Sequence, residues 1–409
     1  MKRVVITGLG CITPVGNDVN SFWDALMAGR HGFSAITRFD ASNMKAKVVA
    51  EVKDFKPEEY LPKSEFRKTD RSQMFAIAAA VQAMSDSGIE GQVDPTRLGV
   101  YIGSGIGGLD TLATQSGVMR EKGADRVSPF MIAMMIANMA SGVVAIKVNA
   151  KGVNLPVVSA CATGTHSIGE AFRAIRHGYA DAILAGGAES CINILGVGGF
   201  TSAQALSTAD DPDNASMPFD KRRNGFIMGE GAGVLLVESY EHAKARGARI
   251  YCEVCGYGNT CDAYHITAPH PEAEGTSAMI KRAFADAGMV PDTRLYINAH
   301  GTSTPLNDAA ETLAIKKAIG EKLAYQIPVS STKSMIGHML GAAGGAEAIA
   351  AVKALETGMV PPTIGYKEPD PACDLDYVPN TARKVDIETA FSTSLGFGGH
   401  NAGVLFRKI

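Results

Sequence analysis

The hydrophobic and polar positions of this chain fall into blocks whose period changes from one block to the next. Short apolar runs read as buried strands. Longer stretches with apolar residues every three or four positions read as helices. In the first half the pattern predicts strands over Arg3–Gly8, Leu98–Gly103, Pro156–Ser159 and Asp181–Ala188, and a helix over Asp70–Ser87 closed by Gly88. A further helix follows Cys161, carried by Ile168, Ala171, Phe172 and Ile175 and stopped at Gly178. Ser128 reads as a helix cap, with Pro129 in the first helical position.

The second half repeats this order. Ile250–Gly258 reads as a strand, Thr276–Ala287 as a helix, Leu295–Ala299 as a strand and Asp308–Ile319 as a helix. Ile327–Ser330 is a strand, Leu340–Glu356 a helix and Thr389–Leu395 a strand. Internal duplication of a strand–helix alternation predicts an α/β chain with parallel-rich sheets and helices on both faces. The halves divide at 1–248 and 249–409. No linker rich in proline, serine or charge separates them, so they are expected to pack against each other. Thr201–Gly225, rich in Asp, Asn and Pro, reads as an ordered loop.

Composition narrows the function. Of 409 residues 46% are hydrophobic and 20% charged, enough for a large core. A net charge of −3 argues against a general nucleic-acid or membrane-surface binder, though not against a local basic patch. Seven cysteines without framework spacing fit a reduced, cytoplasmic protein. The chain enters a strand pattern directly after Met1-Lys2, without the marks of a signal peptide. Phe130–Ile146 is apolar but interrupted by Asn138, Ser141 and Gly142, and reads as a buried or interface helix rather than a membrane span.

Against that background the chemistry gathers at strand ends, where α/β units place their functional residues. Cys161 lies where the Pro156–Ser159 run turns into a helix. Unpaired N–H groups and the positive end of a helix favour thiolate over thiol; the plain alternative is a small buried residue. His300 follows the strand Leu295–Ala299 and precedes Thr302 and Thr304. His338 sits in a Gly- and Ser-rich turn after Lys333. An imidazole there can act as a base or donate to a developing oxyanion. One cysteine and two such histidines point to acyl transfer.

The motifs Ser159-Ala160-Cys161-Ala162-Thr163-Gly164, His300-Gly301-Thr302-Ser303-Thr304, Lys333-Ser334-Met335-Ile336-Gly337-His338 and Gly396-Phe397-Gly398-Gly399-His400-Asn401 resemble the motif set of the elongating β-ketoacyl-acyl-carrier-protein synthases, closest to their synthase II branch. The resemblance runs from Val4 to the last strand. It implies the thiolase fold, two βαβαβαβ halves in five layers, α-β-α-β-α. It implies an acyltransferase that loads an acyl chain on Cys161 and extends it with a decarboxylated malonyl unit. A synthase I enzyme or a polyketide ketosynthase subunit is the alternative.

By the same resemblance Lys333 and Glu347 support the second histidine, and Thr302 and Thr304 bind the pantetheine arm. Ile106 lines the acyl pocket, Phe397 gates it, and Gly398 beside the gate and His265 near the entrance contribute to substrate binding. Lys63, Arg67 and Lys68, with Arg126 as a weaker candidate, dock acyl-carrier protein. The resemblance further implies a homodimer with Phe130–Ser141 near its interface, no membrane insertion, and no metal or organic cofactor beyond the carrier's phosphopantetheine. The chain departs from the family at Leu395, commonly phenylalanine, and at Gln204, often arginine in the synthase II branch.

Two further patterns suggest other sites. Cys252, Cys255, Cys261 and His265 resemble metal-ligand spacing, but residues three apart on a strand face opposite ways. Gly103-Ser104-Gly105-Ile106-Gly107-Gly108 follows a strand but departs from dinucleotide-binding spacing.

Overall fold

A computed structural model describes all of residues 1–409. Nine strands form one mixed sheet: β1 Val4–Ile12, β2 Leu98–Gly103, β3 Ala182–Glu189, β4 Gly231–Ser239, β5 Cys252–Cys261, β6 Leu295–Asn298, β7 Val329–Ser330, β8 Thr389–Gly396 and β9 His400–Arg407. Their order is β2-β3-β4-β1-β5-β9-β8-β6-β7. Apart from the edge strand β7, this order is symmetric about the β1–β5 junction. Going outward, β1, β4, β3 and β2 match β5, β9, β8 and β6, which is the duplication expected from the repeat. The halves join through a three-residue pairing, Val4–Ile6 against Cys252–Val254.

The helices stack on this sheet in layers. They are α1 Arg71–Ser87, α2 Thr163–Arg176, α3 Glu274–Ala287, α4 Pro305–Ile319 and α5 Ala343–Thr357. α2 and α5 lie at the centre, and Ile168, Phe172, Ile349 and Val352 share one core with Val4 and Ile6 of one half and Val404 and Phe406 of the other. A second core holds α1 against the outer face of the first half, through Phe75, Ile77, Val100 and Leu184. A third holds α3 and α4 against the second half, through Ile280, Phe284, Ile297 and Phe391. The result is five layers, α-β-α-β-α. α1 starts where expected because Asp70 and Gln73 form a reciprocal capping box, and it stops at Gly88 at φ +61°.

Three expectations change. Only three strand pairs are parallel, β2–β3, β6–β8 and β6–β7; the other five are antiparallel. The reason is that β4 and β9, both missing from the pattern-based reading, insert as antiparallel neighbours in each half. Pro156–Ser159 is not a ladder strand. That segment touches β2 through the Leu155 N–H bonded to Val100 C=O at 3.2 Å and a bridge at Asn154, and Pro156 has no N–H to extend it. Phe130–Ile146 is not one helix but two, Met131–Met135 and Met139–Val148, broken at Ile136 to Asn138. No helix is long and apolar enough to cross a membrane.

Candidate active site

A cavity of about 360 Å³ opens where the carboxyl ends of strands from both halves meet, and Cys161, His300, His338, Phe397, Thr302 and Thr304 all line it. Leu395 and Gln204, the two departures from the family pattern, line it as well. Cys161 comes from the first half, in a single 3₁₀ turn, Ala160–Ala162, ahead of α2. Both histidines come from the second half. His338 is nevertheless held by the first half: its N–H donates to Ile227 C=O at 2.7 Å and its carbonyl accepts from Gly229 N–H at 2.9 Å.

His300 is positioned by a carboxylate that sequence reasoning passed over. Glu311 on α4 is 1% exposed. It accepts from the N–H of His300 at 2.7 Å, the N–H of Gly301 at 2.8 Å and Thr393 Oγ1 at 2.8 Å. Glu189 at the end of β3 plays a similar part, accepting from Ser104 Oγ at 2.6 Å and from the N–H groups of Gly105 at 2.8 Å and Gly341 at 3.0 Å. A glutamate in a helical or strand-end pattern reads as surface charge, and only the fold shows these two to be buried. Burial pushes both carboxyls up from their ordinary range, against the hydrogen bonds they accept.

The histidine rings stand 5.2 Å apart, nearly perpendicular, and His338 meets the edge of Phe226 at 5.0 Å. Burial, and then the charge of Lys333, holds both imidazoles well below their ordinary range, so both are neutral at working pH. Each Nδ1 is buried without a partner, which leaves Nε2 to serve the cavity. Lys333 is fully buried and ion-paired with Glu347, itself 0% exposed. Burial raises the Glu347 carboxyl and the Lys333 charge opposes that rise.

The thiol of Cys161 differs from the expectation of a ready thiolate. Burial pushes it up to about 12, with Lys333 pulling it down and Glu189 adding to the rise. The helix proper begins two residues later, and desolvation outweighs its positive end. Two N–H groups, those of Phe397 and Cys161 itself, face the sulfur. Donors so placed are of the kind that can stabilise negative charge developing beside the sulfur.

The other predicted residues fall around the cavity. Thr302 and Thr304 hydroxyls lie 2.8 Å apart. Phe397 sits between Gly396 and a Gly398–Gly399 pair at φ +85° and +76°, its ring 6.1 Å from Phe200. Gly398 is exposed and donates its N–H to Ile266 C=O at 2.8 Å, outside the cavity wall. His265 is exposed and accepts at Nδ1 from the N–H groups of Thr267 and Ala268, both at 3.1 Å, so it orders the loop whose residues 267–269 line the cavity. Ile106 is 42% exposed and stands outside the cavity. Lys63, Arg67 and Lys68 are exposed on one 3₁₀ helix, with Lys68 bonded to Glu65 at 3.1 Å and placed over the Phe130 ring. Cys252 packs in the central core while Cys255 packs on the opposite side of β5, donating to Leu405 C=O at 3.4 Å.

A duplicated α/β fold that brings a buried cysteine, two neutral histidines and a pair of backbone N–H donors to one cavity suits acyl transfer through a thioester. Residues 1–243 match the N-terminal domain of the beta-ketoacyl synthases and residues 251–367 match their C-terminal domain. The chain is 53% identical over its whole length to a 3-oxoacyl-[acyl-carrier-protein] synthase 2 from Synechocystis sp., covering 98% of it. It is 50% identical to the synthase 2 of Coxiella burnetii, again over the whole chain and 99% of the relative. A type II polyketide ketosynthase, solved with its acyl-carrier protein and bound to a hexaketide, superposes with a TM-score of 0.91 at 36% identity, both chains being covered in full. The chain belongs to the beta-ketoacyl synthase family.

Proposed function

We propose that this chain is an elongating condensing enzyme of type II fatty-acid synthesis, joining acyl- and malonyl-acyl-carrier protein into 3-oxoacyl-carrier protein, carbon dioxide and free carrier. The observation that carries the reading is the convergence of Cys161 from one half with neutral His300 and His338 from the other on a single cavity.

The chemistry follows from that arrangement. Cys161 Sγ attacks the acyl thioester as its proton passes to a neutral imidazole. Charge on the carbonyl oxygen is met by the N–H groups of Cys161 and Phe397. The carrier thiolate leaves and takes the proton, so the acyl group ends on Cys161. A thioester intermediate splits one hard transfer into two easier ones. Malonyl-carrier protein then enters and loses carbon dioxide. Its electron pair becomes an enolate whose oxygen accepts N–H bonds from the histidines, which burial, and then the charge of Lys333, keeps neutral. The enolate carbon attacks the Cys161 acyl carbonyl, and the sulfur leaves as thiolate and takes a proton from solvent.

The partner and setting belong to the same proposal. The exposed cations Lys63, Arg67 and Lys68 suit an acidic carrier protein, whose phosphopantetheine brings both substrates, and Thr302 and Thr304 suit the amides of that arm. No metal or organic cofactor enters the scheme. Phe130, Ile132 and Ile146 are 39%, 60% and 79% exposed, an apolar surface that suits a homodimer. A cytoplasmic enzyme fits these substrates.

Acyl-carrier protein, malonyl-carrier protein and the enzyme together should yield one carbon dioxide per 3-oxoacyl product two carbons longer. Folded enzyme that yields none at any acyl length would sink the proposal. Repeated extension of an unreduced 3-oxoacyl chain would move it to the polyketide branch.

A further inference from the structure

Behind Cys161 lies a buried polar cluster that the steps above leave unused. Ser159 is pinned at three atoms by the turn that follows it. Its N–H donates to Thr163 Oγ1 at 2.9 Å, its carbonyl accepts from Ala162 N–H at 3.0 Å, and its Oγ lies 2.6 Å from His166 Nδ1. Between Ser159 and the nucleophile, Ala160 stands at φ +50°, a left-handed conformation that strains any residue with a β-carbon. The Cys161 N–H follows directly from that turn and, with the Phe397 N–H, acts on the Cys161 sulfur.

The His166 ring also meets His400, a neighbour of the loop that carries Phe397. His166 stands edge-on to His400, ring centres 6.2 Å apart, and to Tyr257 at 6.3 Å. His400 pairs with Gly396 at the foot of the loop that carries Phe397, and its ring comes within 3.3 Å of where a side chain on Gly398 would begin. His166 is only 5% exposed. Its Nε2 and the Tyr257 hydroxyl are both buried without a hydrogen bond of ordinary geometry, and the Asn259 amide lies beside both. Burial lowers the imidazole to about 4, so it is neutral whenever the enzyme works. A buried neutral histidine spending its one hydrogen bond on a serine behind the nucleophile needs a reason beyond filling space, since a hydrocarbon would pack there without an orphaned nitrogen.

We propose that His166 is a positioning residue for acylation of Cys161: its bond to Ser159 holds the left-handed turn that aims one oxyanion donor, and its ring supports His400 beneath the loop that carries the other. The proposal rests on the acyl-transfer reading of Cys161. It leaves malonyl decarboxylation untouched, because the enolate formed there is served by His300 and His338.

The test separates the two half-reactions. Acylation is followed by intact mass under single-turnover conditions with acyl-carrier protein. Decarboxylation is followed as carbon dioxide release from malonyl-carrier protein by enzyme already acylated to completion. His166→Asn keeps a polar atom near the place of Nδ1 and should acylate within about threefold of wild type. His166→Leu and Ser159→Ala should each acylate about tenfold more slowly, with the KM for acyl-carrier protein unchanged and decarboxylation nearly normal. The double variant should be no slower than either single one. Wild-type rates in folded His166→Leu, equal loss in His166→Asn and His166→Leu, or parallel loss of both half-reactions would each overturn the proposal. If His166→Leu does not fold, Ser159→Ala and His166→Asn decide it by the same criteria. Absence of any adduct on wild type would instead refute the acyl-transfer reading.

Discussion

Replacing Lys333 by methionine keeps much of the side-chain volume and removes the cation paired with Glu347. Both groups are fully buried, at 1% and 0% exposure. Breaking a buried pair from one side costs about 3–5 kcal/mol, because the remaining charge is left without a partner. At roughly 2.1 cal/mol/K of unfolding entropy per residue, that loss lowers the Tm of a 409-residue chain by about 4–6 °C. The loss depends on pH with a definite sign. Without Lys333 the Glu347 carboxyl rises further above its unfolded value, so the folded chain holds that proton more tightly than the unfolded chain. Stability of the variant relative to wild type therefore falls as pH rises past the unfolded carboxyl range near 4.3, and the deficit is complete above the folded value. Thermal unfolding of both proteins from about pH 5 to about pH 8 reads the difference. The double variant Lys333→Met, Glu347→Leu should recover most of the loss, since an apolar pair of similar volume replaces a buried ion pair at little cost. An unchanged Tm for Lys333→Met near pH 8, or a double variant less stable than the single one, would refute the reasoning. The same substitution should let the two histidines rise toward their ordinary range and should slow alkylation of Cys161, because the Lys333 charge now opposes both effects.

Other outcomes follow from the same geometry. Alkylation of Cys161 by iodoacetamide should rise about tenfold per pH unit through the neutral and mildly alkaline range, as expected of a thiol raised to about 12; a plateau near neutrality would show a standing thiolate instead. His338→Ala should slow malonyl decarboxylation by about 10²–10³-fold while sparing acylation of Cys161, measured as separate half-reactions. Glu311→Ala removes the acceptor for three donors around His300 and should cost about 2–4 kcal/mol of stability in denaturant unfolding, with condensation falling alongside. Charge reversal of Lys63, Arg67 and Lys68 together should raise the KM for carrier-protein substrates at low salt, with the difference shrinking as salt is added.

The sequence pattern disclosed the duplication because α1, α3 and α5 end at glycines and apolar strands alternate with helices in the same order in both halves. Cys161, His300 and His338 stood out because reactive side chains in Gly-, Ser- and Thr-rich strand ends have few structural uses. β4 and β9 escaped notice for a physical reason. Turn residues precede both, the Asp- and Asn-rich loop before Gly231–Ser239 and the Gly398–Gly399 turn before His400–Arg407, but a strand reached from a long irregular loop or a tight hairpin breaks the strand–helix alternation by which the others stand out. Their insertion is what makes the sheet mixed. The glutamates were hidden for another reason: residue type alone implies solvent for Glu189 and Glu311, while the fold buries both as clamps on backbone N–H groups. The protonation of Cys161 could not be read from its place before a helix, because desolvation depends on what covers the sulfur, and residues from both halves do so.

Intact-mass analysis of the enzyme after incubation with acyl-carrier protein, wild type beside Cys161→Ala, followed by a malonyl-carrier protein chase, tests the central claim most directly. The account predicts one acyl mass on wild type, none on Cys161→Ala, and loss of that mass in the chase as a product two carbons longer appears on the carrier. An adduct that persists on Cys161→Ala, or folded wild type that takes up no acyl group at any chain length, would contradict it.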